Sequence, residues 1–147
     1  MQNILTVCIG NICRSPVAEA LLKVTFPEKN IWSAGIAALE GYPADNMAQS
    51  IAMEHGLDLS THRAQQLTGY MCTQADLILV METSHKQEIE QLYPFTRGKV
   101  HCLGHAGSGE QVEIADPYRK DRAAFELSHQ LITDSVRRWS HLITQLD

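Results

Sequence analysis

Cys8 and Arg14 are separated by five residues in Val7-Cys8-Ile9-Gly10-Asn11-Ile12-Cys13-Arg14-Ser15-Pro16, a spacing at which a thiol and a guanidinium can share one anion. Residues 4–7 form an apolar run of strand character, and residues 16–23 are almost entirely good helix formers. The turn between them therefore leaves a strand and opens onto a helix. Ser15 is expected to cap that helix with its hydroxyl, and Pro16 to occupy the first turn, where its missing N–H costs nothing. Unpaired N–H groups and the helix dipole make such a point a site for a tetrahedral dianion. The backbone from Ile9 through Gly10, Asn11, Ile12 and Cys13 to Ser15 can wrap its oxygens, and Arg14 can close the ring with a bidentate contact unavailable to lysine. The same field acts on the thiol, since a cysteine beside an arginine and a helix N-terminus can ionise at a pKa of roughly 3.5–7.5 instead of about 8.5. Cys8 then reads as a thiolate nucleophile beneath a bound phosphorus atom, against the alternative of a buried structural cysteine at a strand end.

A thiolate and an arginine start a phosphoryl transfer, but the leaving oxygen departs far more easily once protonated. Asp116, in Ile114-Ala115-Asp116-Pro117-Tyr118, is the candidate acid. Its apolar neighbours would help raise its pKa, and Pro117 stiffens the backbone behind it. On the residues alone, Asp-Pro as a simple turn start is an equally good reading.

The run from Cys8 to Pro16 resembles the signature loop of the low-molecular-weight protein tyrosine phosphatases, and Asp116-Pro117-Tyr118 resembles their second signature. Ser33-Ala34-Gly35 and Thr61-His62-Arg63-Ala64 also match the family pattern, so the likeness covers essentially the whole chain. It implies that Asp116 is the general acid and that a cysteinyl-phosphate forms on Cys8, with Asp116 then activating water to release inorganic phosphate. No metal or organic cofactor is implied. The resemblance also gives Asn11, Ser15, Ser33 and His62 the task of holding the loop open and stabilising the thiolate. His62 by itself reads equally as an ordinary surface or core histidine.

Tyr118 is expected to flank a substrate ring. Leu39 stands where many animal members carry an aromatic residue, Arg119 where they carry a second tyrosine, and Gln65 where an arginine is common. These departures look like the bacterial members that act beside tyrosine kinases of capsule or exopolysaccharide export. They imply a phosphotyrosine protein as partner, plausibly an autophosphorylated kinase of that kind. Cys13 could form a protective disulfide with Cys8 or could simply pack the loop.

The elements that must position these residues alternate strand and helix. Strands are expected at residues 4–8, 30–34, 77–81 and 100–103. Helices are expected at 16–25, 44–55, 68–73, 84–92 and 122–146, with a long loop, 104–119, suspected of function. This is an α/β fold, a parallel sheet between two layers of helices, and the resemblance implies the strand order 2-1-3-4. Ligands then bind beyond the carboxyl ends of the strands, where the order reverses. In the last helix Phe125, Ile132, Val136, Trp139, Ile143 and Leu146 recur at helical spacing and form a core stripe. The polar run 82–90 reads as a solvated helix face.

The 147 residues, 44% hydrophobic and 20% charged, suit one globular domain, 1–147. No run is apolar enough to span a bilayer, and no signal-like segment leads the first strand, so a cytoplasmic protein without membrane insertion is expected. A net charge of −5 argues against nucleic acid as the partner. Cys72 and Cys102 read as inert core residues, and His101, Cys102 and His105 lack a fourth metal ligand at a recognised spacing. Three other functions remain in competition. An arsenate reductase needs a resolving cysteine pair, absent from residues 83–94. A binding module would have lost Cys8, Arg14 or Asp116, and a phosphatase of small metabolites differs only in the cleft walls.

Overall fold

The computed structural model describes residues 1–107 and 111–147. Four parallel strands, β1 (Asn3–Cys8), β2 (Asn30–Gly35), β3 (Leu77–Val80) and β4 (Val100–Cys102), form one sheet in the order β2-β1-β3-β4. The helices are α1 (Ser15–Thr25), α2 (Asn46–Glu54), α3 (Gly69–Gln74), α4 (Thr83–Leu92) and α5 (Arg122–Leu146). The doubly wound α/β architecture expected from the sequence is therefore present. Its strand order reverses at β1, which lies between β2 and β3, and Cys8 ends β1 opposite Gly35.

Alternation along the strands sorts the core into two layers. Ile4, Leu77 and Leu79 pack with Val17 and Leu22 of α1 and with Ile132, Val136 and Ile143 of α5. Leu5, Val7, Ile78 and Val80 face the other way, onto Cys72 of α3 and Ile89 of α4. Helices thus cover both faces, which is why β3 reads as an unbroken apolar run. Burying a side chain such as Ile78 contributes about 1.5–3 kcal/mol. A smaller cluster joins Ile12 and Cys13 to Ala48 and Ile51 of α2, Ala64 and Phe125 of α5, and so anchors the back of the loop after β1.

Three expectations need correction. Ser15 does not cap α1: the helix begins at Ser15, Arg14 is the N-cap residue, and no side chain caps it. The Ser15 hydroxyl is turned into the loop. Leu146, the last residue of α5, leaves the core stripe and is 67% exposed. The run 82–90 is not a uniformly solvated face, since His85 and Ile89 are buried. The other helix bounds shift slightly; Asp45, capping the N–H groups of Met47 and Ala48, starts α2 at Asn46 instead of residue 44. Of the long loop 104–119, residues 108–110 lie outside the described residues.

Candidate active site

The loop after β1 presents its carbonyls outward. Those of Cys8, Ile9, Gly10 and Ile12 accept from the N–H groups of Ile36, Ala37, Leu39 and Asp45 at 2.9–3.1 Å. The Asn11 carbonyl meets His62 Nε2 at 2.6 Å. A carbonyl only accepts, so Nε2 carries the proton. With the carbonyls held from outside, the N–H groups turn in. Among the described residues, none of the backbone N–H groups from Ile9 to Arg14 donates to a protein acceptor. The result is a cup of free donors at the start of α1, with the charge complement of an oxyanion.

Asn11 keeps the cup open. Its φ of +59° lies in the left-handed region, which asparagine tolerates better than most residues. Its Nδ2 donates to Ser15 Oγ at 2.8 Å and to Ser33 Oγ at 2.9 Å, while its Oδ1 accepts from the Gln65 N–H at 3.0 Å. Ser33 Oγ in turn donates to Glu19 Oε1 at 2.5 Å. Ser15 Oγ, already accepting from Asn11, lies 2.9 Å from Cys8 Sγ and is free to donate to it. That polarity suits a thiolate.

Arg14 is fully buried, and three oxygens surround it. Nη1 donates to Glu82 Oε2 and to the Ile114 carbonyl, each at 2.7 Å, while Nη2 stands 3.7 Å from Asp116 Oδ2. Its buried Nε has no partner among the described residues. A buried guanidinium N–H without an acceptor is costly unless a ligand supplies one.

Cys8, Cys13, Arg14 and Asp116 converge on a cleft of about 280 Å³ walled by Ile9, Leu39, Tyr118 and Arg119. The Asp116 side chain is 41% exposed at its rim rather than enclosed by its apolar neighbours, and its Oδ1 accepts from the Tyr118 N–H at 3.0 Å. Arg119, with φ +63°, lays its guanidinium over the Tyr118 ring at 5.2 Å. Burial, reinforced by Asp45 and Cys8, holds the Cys13 thiol far above the ordinary cysteine range. Cys8 and Cys13 are both free thiols.

The sequence-predicted residues thus gather on one cleft, or just behind it in the case of Asn11, Ser15, Ser33 and His62. Sequence reasoning missed Glu82 and His85. Glu82 reaches Arg14, and His85, buried and 3.4 Å from the same carboxylate oxygen, is held below the ordinary histidine range by burial and by Arg14. Glu82 follows the carboxyl end of β3, a position where α/β sheets place ligand-binding groups, and that was the available signal.

Residues 3–147 match the family model described as low molecular weight phosphotyrosine protein phosphatase. The chain belongs to that family. This phosphatase is 52% identical over 139 residues to the probable low molecular weight protein-tyrosine-phosphatase EpsP of Ralstonia nicotianae, covering 95% of this chain and 94% of the relative. The crystal structure of the Erwinia amylovora tyrosine phosphatase AmsI superposes with a TM-score of 0.91 at 48% identity, covering 97% of this chain and 93% of that one. Vibrio vulnificus Wzb, solved in complex with benzylphosphonate, superposes with a TM-score of 0.90 at 44% identity, covering 96% and 99% of the two chains. The enzyme is thus a low molecular weight protein-tyrosine-phosphatase.

Proposed function

We propose that the chain, acting as one domain in the cytoplasm, hydrolyses phosphotyrosine in protein substrates by two displacements at Cys8. The observation that carries this reading is the cup of free N–H groups with the unpartnered Nε of Arg14 beside it. Together they match the equatorial oxygens of a phosphoryl group in transfer. Benzylphosphonate, bound by the Vibrio relative, has the outline of an aryl phosphate, and the Leu39 and Tyr118 walls offer a ring apolar contact.

In the first step Cys8 Sγ attacks phosphorus, and Asp116, entering as the acid, gives its proton to the departing tyrosine oxygen. The S–P bond forms as the P–O bond breaks, and Ser15 releases its hold on the sulfur. In the second step Asp116, now a carboxylate, takes a proton from water, whose oxygen attacks phosphorus and expels the thiolate. Inorganic phosphate leaves. Arg14 and the N–H groups of Ile9 to Arg14 hold the equatorial oxygens throughout. Asn11, Ser15, Ser33 and His62 fix the loop through the contacts described above. The substrate is a phosphotyrosine protein, and the resemblance to exopolysaccharide-associated members favours an autophosphorylated bacterial tyrosine kinase.

Hydrolysis of p-nitrophenyl phosphate, a phosphotyrosine peptide and a phosphoserine peptide tests this. The aryl phosphates should turn over in preference to phosphoserine, Cys8→Ser should be inactive, and Asp116→Asn should lose about 100- to 10,000-fold in rate. Turnover by Cys8→Ser, or none by the folded and reduced wild type, overturns it.

A further inference from the structure

A second group of reactive side chains lies outside the cleft. Cys102 ends β4, His105 follows in the next turn, and Glu113 lies on the segment leading to Asp116. Cys102 Sγ, a ring nitrogen of His105 and a carboxylate oxygen of Glu113 all lie within 4.8 Å of one another. His105 Nε2 is 3.1 Å from Glu113 Oε2. The mechanism above uses none of the three.

Burial gives the group a direction. Cys102 is 4% exposed and closes the inner end, whereas the side chains of His105 and Glu113 are 26% and 47% exposed and form an open mouth. Thr83 supports the arrangement from behind, its N–H donating to Glu113 Oε1 at 2.8 Å and its hydroxyl to Oε2 at 3.2 Å. The same hydroxyl lies 4.0 Å from Cys102 Sγ. Such outer partners orient ligands in metal sites.

We propose that Cys102, His105 and Glu113 bind a divalent cation of the zinc class, with water as the fourth ligand. A sulfur, an imidazole nitrogen and one carboxylate oxygen suit a borderline metal, and a single hard oxygen is too few for calcium or magnesium. Bond lengths of about 2.0–2.3 Å set tetrahedral donor separations of roughly 3.3–3.8 Å. Small rotations of the two exposed side chains close the present gap. On binding, the Cys102 S–H bond breaks and its proton passes to solvent, the thiolate binds through Sγ, and the His105–Glu113 contact gives way to two metal bonds. The ion ties the end of β4 to the segment whose Ile114 carbonyl holds Arg14 and whose Asp116 lines the cleft. It does not enter the cleft, so the proposal stands apart from the phosphatase mechanism.

Cobalt(II) titration of the full Cys8→Ser chain, which lacks the cleft thiolate, tests the site by absorbance. One equivalent should give a thiolate-to-cobalt band in the near ultraviolet with the visible bands of a tetrahedral ion, and zinc should bleach both. Cys102→Ser should abolish the ultraviolet band, and His105→Gln and Glu113→Gln should each weaken binding about tenfold or more. Should Cys102→Ser fold poorly, the two exposed substitutions carry the test. No band, a band that survives Cys102→Ser, or affinity unchanged in both His105→Gln and Glu113→Gln overturns the proposal.

Discussion

Arg14 Nη1 and Glu82 Oε2 lie 2.7 Å apart, joining the loop after β1 to the first turn beyond β3. The pair divides the guanidinium between two tasks. One edge is spent on Glu82 and the Ile114 carbonyl, while Nε remains without a protein acceptor. A free arginine side chain rotates about several bonds, but this one is fixed before any substrate arrives.

Glu82→Gln should therefore weaken catalysis without unfolding the protein. Glutamine retains an acceptor but removes the carboxylate charge, a difference of about 1–2 kcal/mol, so kcat/KM should fall roughly 5- to 30-fold. Phosphate inhibition should weaken in parallel, since product uses the same donors. Wild-type kcat/KM and phosphate affinity in a Glu82→Gln chain of normal stability would exclude this positioning role.

Asn11→Ala tests the open loop. Alanine at φ +59° is strained by about 1–2 kcal/mol, and Ser15, Ser33 and the Gln65 N–H lose a buried partner. Urea unfolding should reveal a loss of about 2–4 kcal/mol. Asn11→Gly should recover only the strain and remain well below the wild type. Equal stabilities for Ala and Gly would show that φ is not a source of the cost.

How far the sequence reached depends on whether each contact is local. The loop from Cys8 to Ser15 was legible because a strand, a turn and a helix start are neighbours in the chain. The helices on both faces of the sheet followed from the alternation of strand and helix, although the strand order came through family likeness, because alternation does not record which strands pair. Glu82 was hidden because its partner is 68 positions away and its own helix reads as polar. Ser15 was misread for a related reason. A serine before proline looks like a cap, and only the folded loop shows its hydroxyl accepting from Asn11 and facing Cys8. Glu113 escaped notice because it lies eight positions beyond His105, in a stretch with no periodicity that would pair the two.

Two glycines near the cleft should respond oppositely to alanine. A Cβ on Gly35 would sit 2.4 Å from the Ile9 carbonyl oxygen and 3.1 Å from Ala38, so the loop after β1 must move. A Cβ on Gly10 meets nothing closer than Ile12 Cγ1 at 3.7 Å, an ordinary contact. Gly35→Ala should lose about 1–3 kcal/mol in urea unfolding and much of its activity. Gly10→Ala should fold with near wild-type stability. The reverse order would mean that backbone freedom, rather than close approach, makes residue 10 glycine.

Two buried histidines and a half-buried one predict an acid-sensitive fold. Burial holds His85, His101 and His129 below the ordinary range, aided by Arg14, Lys86 and His55 respectively. The unfolded chain takes up these protons near pH 6.5, before the folded chain does, so the stability present above that pH is lost as pH falls. His129, which does not line the cleft, stacks on His55 with ring centroids 4.4 Å apart, and its buried Nδ1 has no partner among the described residues. Urea midpoints at about pH 7.5 and about pH 5.5 should therefore fall in the wild type and fall less in His129→Gln, which cannot take up the proton. This window lies above the carboxylates held low, Asp58, Asp76, Glu113 and Asp147, which affect stability only at more acidic pH. An identical drop in the wild type and His129→Gln would assign the acid sensitivity to the other two histidines.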